Sequence, residues 1–442
     1  MTVQPNEVHK LLSRYQLADG YDMVVDLDKS KGVWVHDSKK GEDYLDAFTC
    51  FGSWPLGYNN PEFMEEEFAE KILKVSRNKI ANSDLYTTEL AEFVETFATK
   101  VTPKGFSHHF WVSGGALAVE NALKTAFDWK ARKLGRTNFL DDVNDLTVLH
   151  FEQAFHGRSG YTMSLTNTTP DKIGLFPKFN WPRVSTPYCE FDNEGNVSND
   201  IESMEATTCA EIEHAFDEHS NKIAAIIIEP MQCEGGDNHF RDEFLQKLRQ
   251  YADEREALLI FDEVQTGFYG SGKPWLWQHS GVKPDVVSFG KKTQTCGIYA
   301  GTRVDEVQDN VFKLSSRINS TWGGNLVDMV RCTHFINIIE RDNIAELVTQ
   351  VGEYTLCCLR DIAKETDLFT SVRGKGSLIA FTMENPEQRT NMLRSMFDEK
   401  LLALPCGKKS VRFRLPLVMT MEDASELLNR THNAAKSMAA TV

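Results

Sequence analysis

The chain has 442 residues, of which 41% are hydrophobic and 25% charged, and its formal charge at neutral pH is -16. That length exceeds what one hydrophobic core organises, so two or more domains are expected. The acidic balance repels phosphate backbones and anionic lipid, which argues against nucleic acid or a membrane as partner, and no apolar run reaches the length of a membrane span.

Residues 1–15 lack the layout of a signal peptide. Val8, Leu11, Leu12 and Tyr15 follow helical spacing and predict a short amphipathic helix. Nine cysteines are scattered at odd count with no metal-ligand spacing, which predicts reduced, mostly buried thiols in a cytoplasmic protein and no metal site.

Apolar runs then alternate with helical stretches. Phe110-Trp-Val-Ser meets Gly114-Gly115 and a helical segment through Lys133. Leu146-Thr-Val-Leu-His-Phe, Ile223-Ala-Ala-Ile-Ile-Ile-Glu-Pro, Ala257-Leu-Leu-Ile-Phe-Asp262 and Asp285-Val-Val-Ser-Phe-Gly-Lys291 are further runs. Such runs predict a parallel sheet covered on both faces, an α/β arrangement. Ligands of these sheets lie beyond the carboxyl ends of the strands, and Glu229, Asp262 and Lys291 fall at that edge. From about Leu326 to Glu365 helix dominates, followed by short strands at Gly376-Ser-Leu-Ile-Ala-Phe and Ser410-Val-Arg-Phe-Arg-Leu. Thr420-Met-Glu-Asp has the pattern of a capping box opening a terminal helix. This part predicts a second, α+β domain.

Several stretches carry candidate chemistry. Val112-Ser-Gly-Gly-Ala reads as strand, small-residue turn and helix start, which is either a phosphate cradle or a plain tight connection. Asp262, at the end of a buried run, requires a cation: an arginine or a protonated ring nitrogen. Gly267-Phe-Tyr-Gly-Ser-Gly272-Lys273 satisfies G-x-x-x-x-G-K, but Pro274 stands where a magnesium-binding hydroxyl is required, which excludes a nucleotide triphosphatase. In Gly290-Lys291-Lys292, a lysine at the edge of a buried strand loses solvation and gains nucleophilicity; the pattern leaves both lysines open.

Four motifs stand in order: Ser113-Gly-Gly-Ala, Phe155-His-Gly-Arg158, Asp262-Glu-Val-Gln265-Thr-Gly and Gly290-Lys291. Together they resemble the class III, or omega-amino, aminotransferases of pyridoxal-phosphate fold type I, over nearly the whole chain. Phe155-His-Gly-Arg-Ser-Gly-Tyr-Thr-Met-Ser-Leu-Thr-Asn, Phe289-Gly-Lys-Lys-Thr-Gln, Asn319-Ser-Thr-Trp-Gly-Gly-Asn and Val411-Arg-Phe-Arg are similar to the branch of that class that takes the 6-amino group of lysine.

The resemblance implies a large domain over residues 61–335 with a central, mainly parallel sheet. It also implies a smaller α+β domain over 336–442, joined by residues 1–60. Lys291, six residues after Asp285, would carry pyridoxal 5'-phosphate as a Schiff base and then shuttle protons. Asp262 would hold the ring nitrogen, Gln265 the phenolic oxygen, Phe155 the ring face, and Gly115 and Ala116 the phosphate. Ser320 and Thr321 would also bind cofactor, Thr321 that of the neighbouring subunit, which implies a homodimer. Arg158 would take the distal carboxylate and Arg412 the α-carboxylate, with Arg414 on the same strand face as the alternative; Asn319 would bind substrate. Glu234 would pair with Arg412 during the lysine half-reaction and swing aside for 2-oxoglutarate, with the following Gly-Gly permitting motion. The implied products are L-glutamate and 2-aminoadipate 6-semialdehyde, which cyclises to piperideine-6-carboxylate. Ornithine, 4-aminobutyrate or another terminal amine is the alternative donor. Phe51 and Trp54, in a segment where this class lines its substrate pocket, are bulkier than the lysine branch leads one to expect.

Overall fold

The computed structural model describes residues 3–439. Its largest sheet has seven strands, in the spatial order 106–112, 296–301, 286–289, 258–262, 223–228, 147–151, 183–184. The last five run parallel to one another. Alternation along each strand divides the core. Leu258 and Ile260 join the cluster that holds Val119, Ala122 and Leu123 of the helix Gly115–Lys133. Leu259 and Phe261 join the opposite cluster, with Phe244 and Leu248 of the helix Asp242–Glu254. Both faces are therefore covered, and the polar residues that end each run are left at the sheet's carboxyl edge.

Cys296–Gly301 is a strand that the apolar-run pattern did not reveal. It runs antiparallel between Phe106–Val112 and Val286–Phe289. Gly297 is required there for packing: a Cβ on it would lie 2.2 Å from the Phe110 carbonyl oxygen.

A second sheet of four antiparallel strands, Phe369–Lys375, Leu378–Met383, Ser410–Arg414 and Leu404–Cys406, shares a core with the helices Ile344–Thr366, Pro386–Asp398 and Met421–Ala439. The last of these opens as expected: Asp423 Oδ2 accepts from the Thr420 amide at 3.0 Å, and Thr420 Oγ1 accepts from the Asp423 amide at 3.1 Å. The N-terminal strands Val25–Lys31, Trp34–Asp37 and Glu42–Asp46 form a third sheet, completed by Leu401–Leu402 lying parallel to Glu42–Asp46.

The N-terminal helix forms as Pro5–Glu7 and Val8–Leu12, with Val8 half-buried and Leu11, Leu12 and Tyr15 exposed. Met1 and Thr2, part of that expectation, lie outside the described residues, as do residues 440–442. Lys273 of the G-x-x-x-x-G-K stretch is followed only by the short turn Leu276–Gln278, so no helix N-terminus faces that loop. Among the described residues no helix is long and apolar enough to cross a membrane, and all nine cysteines are free.

Gly297→Ala should lower stability by about 1–3 kcal/mol through overpacking of a central strand, read as a lower urea midpoint. An unchanged midpoint would show that the neighbouring strand yields freely.

Candidate active site

A cavity of about 300 Å³ opens where the parallel strands end. Asp262, Lys291, Glu229, Gln265, Phe155 and Gly115 all line it, together with Ala116, His156, Arg158 and Glu234. A larger groove of about 1070 Å³, bordered by Arg373 and Tyr188, holds neither Asp262 nor a lysine from the sheet edge. Size alone does not locate the chemistry.

Asp262 is 4% exposed. Its Oδ2 lies 2.8 Å from His156 Nδ1, and its Oδ1 accepts from Ser288 Oγ and the Val264 amide, each at 3.1 Å. His156 is itself buried, and its Nε2 has no protein partner. The carboxylate is thus fixed in direction and aimed by three neighbours. The sequence motif contained His156 but offered no role for it.

The two adjacent lysines part company because they sit in a tight turn, Lys291–Thr293, where consecutive side chains diverge. Lys291, at φ 53°, lines the cavity. Burial lowers its pKa, Arg412 adds to that, and Cys233, Asp262 and Glu229 oppose it. Lys292 does not line the cavity; its Nζ donates to the Gln265 carbonyl at 2.7 Å, and burial pushes its pKa down to about 7.

At another wall, Gly115 opens a 19-residue helix that has no side-chain cap. The first intrahelical bond is made by the Ala118 amide, so the Gly115 and Ala116 N–H groups are left for a ligand. Approach this close depends on small residues. A Cβ on Gly115 would lie 2.7 Å from Val264 Cγ1, and one on Gly157 would lie 2.5 Å from Ala116 Cβ. Glu229 braces the opposite side: its carboxylate accepts from the Phe155 amide at 2.9 Å and the Cys233 amide at 3.1 Å. Burial pushes its pKa up to about 7.

Pyridoxal phosphate fits this donor set. A helix start with free N–H groups suits its phosphate, a buried oriented carboxylate suits its ring nitrogen, Phe155 offers a flat wall, and Lys291 is the amine.

Two buried arginines reach the cavity region from the strand Ser410–Arg414, each 1% exposed. Arg414 is committed to Asp237, through Nη1 to Oδ2 at 2.8 Å and Nη2 to Oδ1 at 2.6 Å. Arg412 donates Nη2 to Glu234 Oε2 at 2.6 Å and Nη1 to Gln265 Oε1 at 3.2 Å. Asp237 was not anticipated: it meets Arg414 from 177 positions away, and no local spacing signals that pairing. Gly235 and Gly236 are closely packed. A Cβ on Gly235 would lie 2.3 Å from the Gln153 carbonyl oxygen, and the Gly407 amide holds the Glu234 carbonyl at 2.9 Å.

Arg158 lines the cavity from an exposed position. Asn319, Ser320 and Thr321 do not line it; Asn319 and Thr321 are exposed, and Ser83 Oγ donates to the Ser320 carbonyl at 3.0 Å. Phe51 is 53% exposed on the left-handed turn Thr49–Gly52, and Trp54 packs on Phe63 and Phe335. Neither lines the cavity in this protomer.

Asp237→Ala leaves Arg414 buried without its anion, and should cost about 3–5 kcal/mol. Thermal unfolding would show it, and a small shift would mean that water or Gln265 replaces the carboxylate.

The sequence profile described as aminotransferase class-III matches residues 16–435. The L-lysine-epsilon aminotransferase of Streptomyces clavuligerus is 44% identical over 439 residues, covering 99% of this chain and 95% of that one. That of Amycolatopsis lactamdurans is 46% identical over 429 residues, covering 95% and 93%. The solved lysine aminotransferase from M. tuberculosis superposes with a TM-score of 0.93 at 42% identity, covering 98% of this chain and 99% of that one. With a match of this extent laid over this cavity, the chain belongs to the class III aminotransferases, enzymes that work with pyridoxal 5'-phosphate.

Proposed function

We propose that this aminotransferase moves the 6-amino group of L-lysine to 2-oxoglutarate, giving 2-aminoadipate 6-semialdehyde and L-glutamate. The observation that carries the reading is the pair Arg412–Glu234, a buried carboxylate receptor already filled by a side chain that reaches the surface. The extensive identity to proteins named as lysine aminotransferases supports the donor. Nine free thiols support a reducing compartment, the cytoplasm.

Pyridoxal phosphate, when bound, supplies an aldehyde for the incoming amine and a protonated ring that withdraws electrons from the carbon losing its proton. The rest is done by this chain. Gly115 and Ala116 would hold the phosphate by backbone N–H groups, and Asp262, braced by His156 and Ser288, would keep the ring nitrogen protonated. Gln265 Oε1 is occupied by Arg412 Nη1 and Arg414 Nε, so its amide NH2 would be the group that donates to the cofactor's phenolic oxygen. Lys291, its pKa lowered by burial, would carry the cofactor and then take and return the proton at the reacting carbon.

Lysine entering tail first keeps its α-carboxylate at the exposed Arg158 and brings no anion to Arg412, so Glu234 must stay. 2-Oxoglutarate carries two carboxylates: the distal one suits Arg158, and the α-carboxylate takes Arg412 as Glu234 withdraws.

The active unit is a homodimer in this reading. Leu85, Tyr86 and Trp322 form exposed apolar surface around Ser320 and Thr321, supporting a neighbouring subunit that receives Asn319, Ser320 and Thr321.

A steady-state panel of lysine, ornithine and 4-aminobutyrate with 2-oxoglutarate tests the donor; lysine should give the highest kcat/KM, and a clear preference for another amine would replace it. Lys291→Ala should abolish both turnover and the visible cofactor band, whereas survival of both would transfer the role to Lys292. Arg412→Ala should slow the 2-oxoglutarate half-reaction by about a hundredfold more than the lysine one, the scale of a lost buried charge pair. Equal losses would remove the glutamate exchange.

A further inference from the structure

Glu234 is held by two cations, and only one of them is part of the carboxylate receptor. Its Oε2 accepts from Arg412, while its Oε1 accepts from Lys172 Nζ at 2.6 Å. The two partners differ in setting. Arg412 stands 1% exposed on a strand, and Lys172 is 23% exposed on the short helix Pro170–Ile173, with Nζ 5.5 Å from the centre of the Phe155 ring that lines the cavity. Thr168 Oγ1, at 3.4 Å, is a weak further acceptor for the same ammonium. Burial pushes the Glu234 pKa up, but Arg412 and Lys172 more than offset this and hold it below the usual range.

We infer that Lys172 is a positioning residue for the amino-acceptor half-reaction: it is the partner to which Glu234 withdraws when a keto acid's carboxylate takes Arg412. The inference rests on the exchange at Arg412 proposed above. Its physical basis is an asymmetry. With Glu234 on Arg412, losing Lys172 removes one of two cationic partners. With Glu234 displaced, losing Lys172 removes the remaining one and leaves a carboxylate beside an aromatic wall without a counterion. The backbone need not move, since the Glu234 carbonyl is held by the Gly407 amide. A side-chain rotation about the retained Lys172 contact is sufficient. Lys172 thus makes the exchange a transfer between cations in place of an expulsion into solvent.

The experiment follows the two half-reactions of the holoenzyme separately by cofactor absorbance, for wild type, Lys172→Met and Lys172→Arg. Lys172→Met should raise the half-saturating concentration of 2-oxoglutarate about fivefold more than that of the amine donor, the effect of one partly exposed ion pair. Lys172→Arg should restore the wild-type ratio. In a Glu234→Ala background, Lys172→Met should cause no further change in that ratio. A parallel loss in both half-reactions, no loss in either, failure of the arginine to restore the ratio, or an added loss without Glu234 would each overturn the inference. The amino form is loaded with L-glutamate, so the 2-oxoglutarate arm stands whatever the donor. Failure of lysine as donor would sink the functional reading and leave this test intact.

Discussion

A guanidinium shut away from water must always have an anion, and in the proposed exchange the anion at Arg412 changes identity within one catalytic cycle. The cost of an unpaired buried charge is several kcal/mol, enough to stop either half-reaction. The protein meets this by placing a carboxylate, Glu234, where it is 26% exposed on its outer side and bonded to Arg412 on its inner side. Arg414, two residues along the same strand, meets the same constraint permanently through Asp237. One strand therefore presents two arginine–carboxylate pairs, both answered by residues of a single loop.

The cavity lies where the buried parallel strands end. Glu229, Asp262 and Lys291 are displaced to the carboxyl edge, where backbone amides and neighbouring side chains can satisfy them. Asp262 is tied by His156 and Ser288, and Glu229 ties the Phe155 loop to the Cys233 loop. The carboxylates thus orient one another's surroundings. The same crowding accounts for the small residues: Gly115, Gly157 and Gly235 are each pressed against a neighbour that leaves no space for a Cβ.

Much of this was legible from pattern. Continuous apolar runs with polar ends announce a covered parallel sheet, and four ordered motifs announce the family. Thr420 and Asp423 announce a helix start because capping is local and needs only neighbouring atoms. The strand Cys296–Gly301 was not legible, because Gly297 serves a contact with Phe110 nearly two hundred residues earlier. The N-terminal helix forms where spacing places it, but spacing records an apolar side and not what covers it.

What the sequence determined by itself is the set of chemical groups and the local geometry that carries them: strand ends, a helix start, a pair of lysines, a pair of arginines. Only the tertiary structure decided which lysine faces the cavity, which arginine is bound to Asp237 and which to Glu234, and that Lys172 shares that glutamate. The physical reason is that charge pairing in a desolvated interior is set by distances between segments far apart in the chain, and no periodicity within a segment encodes those distances.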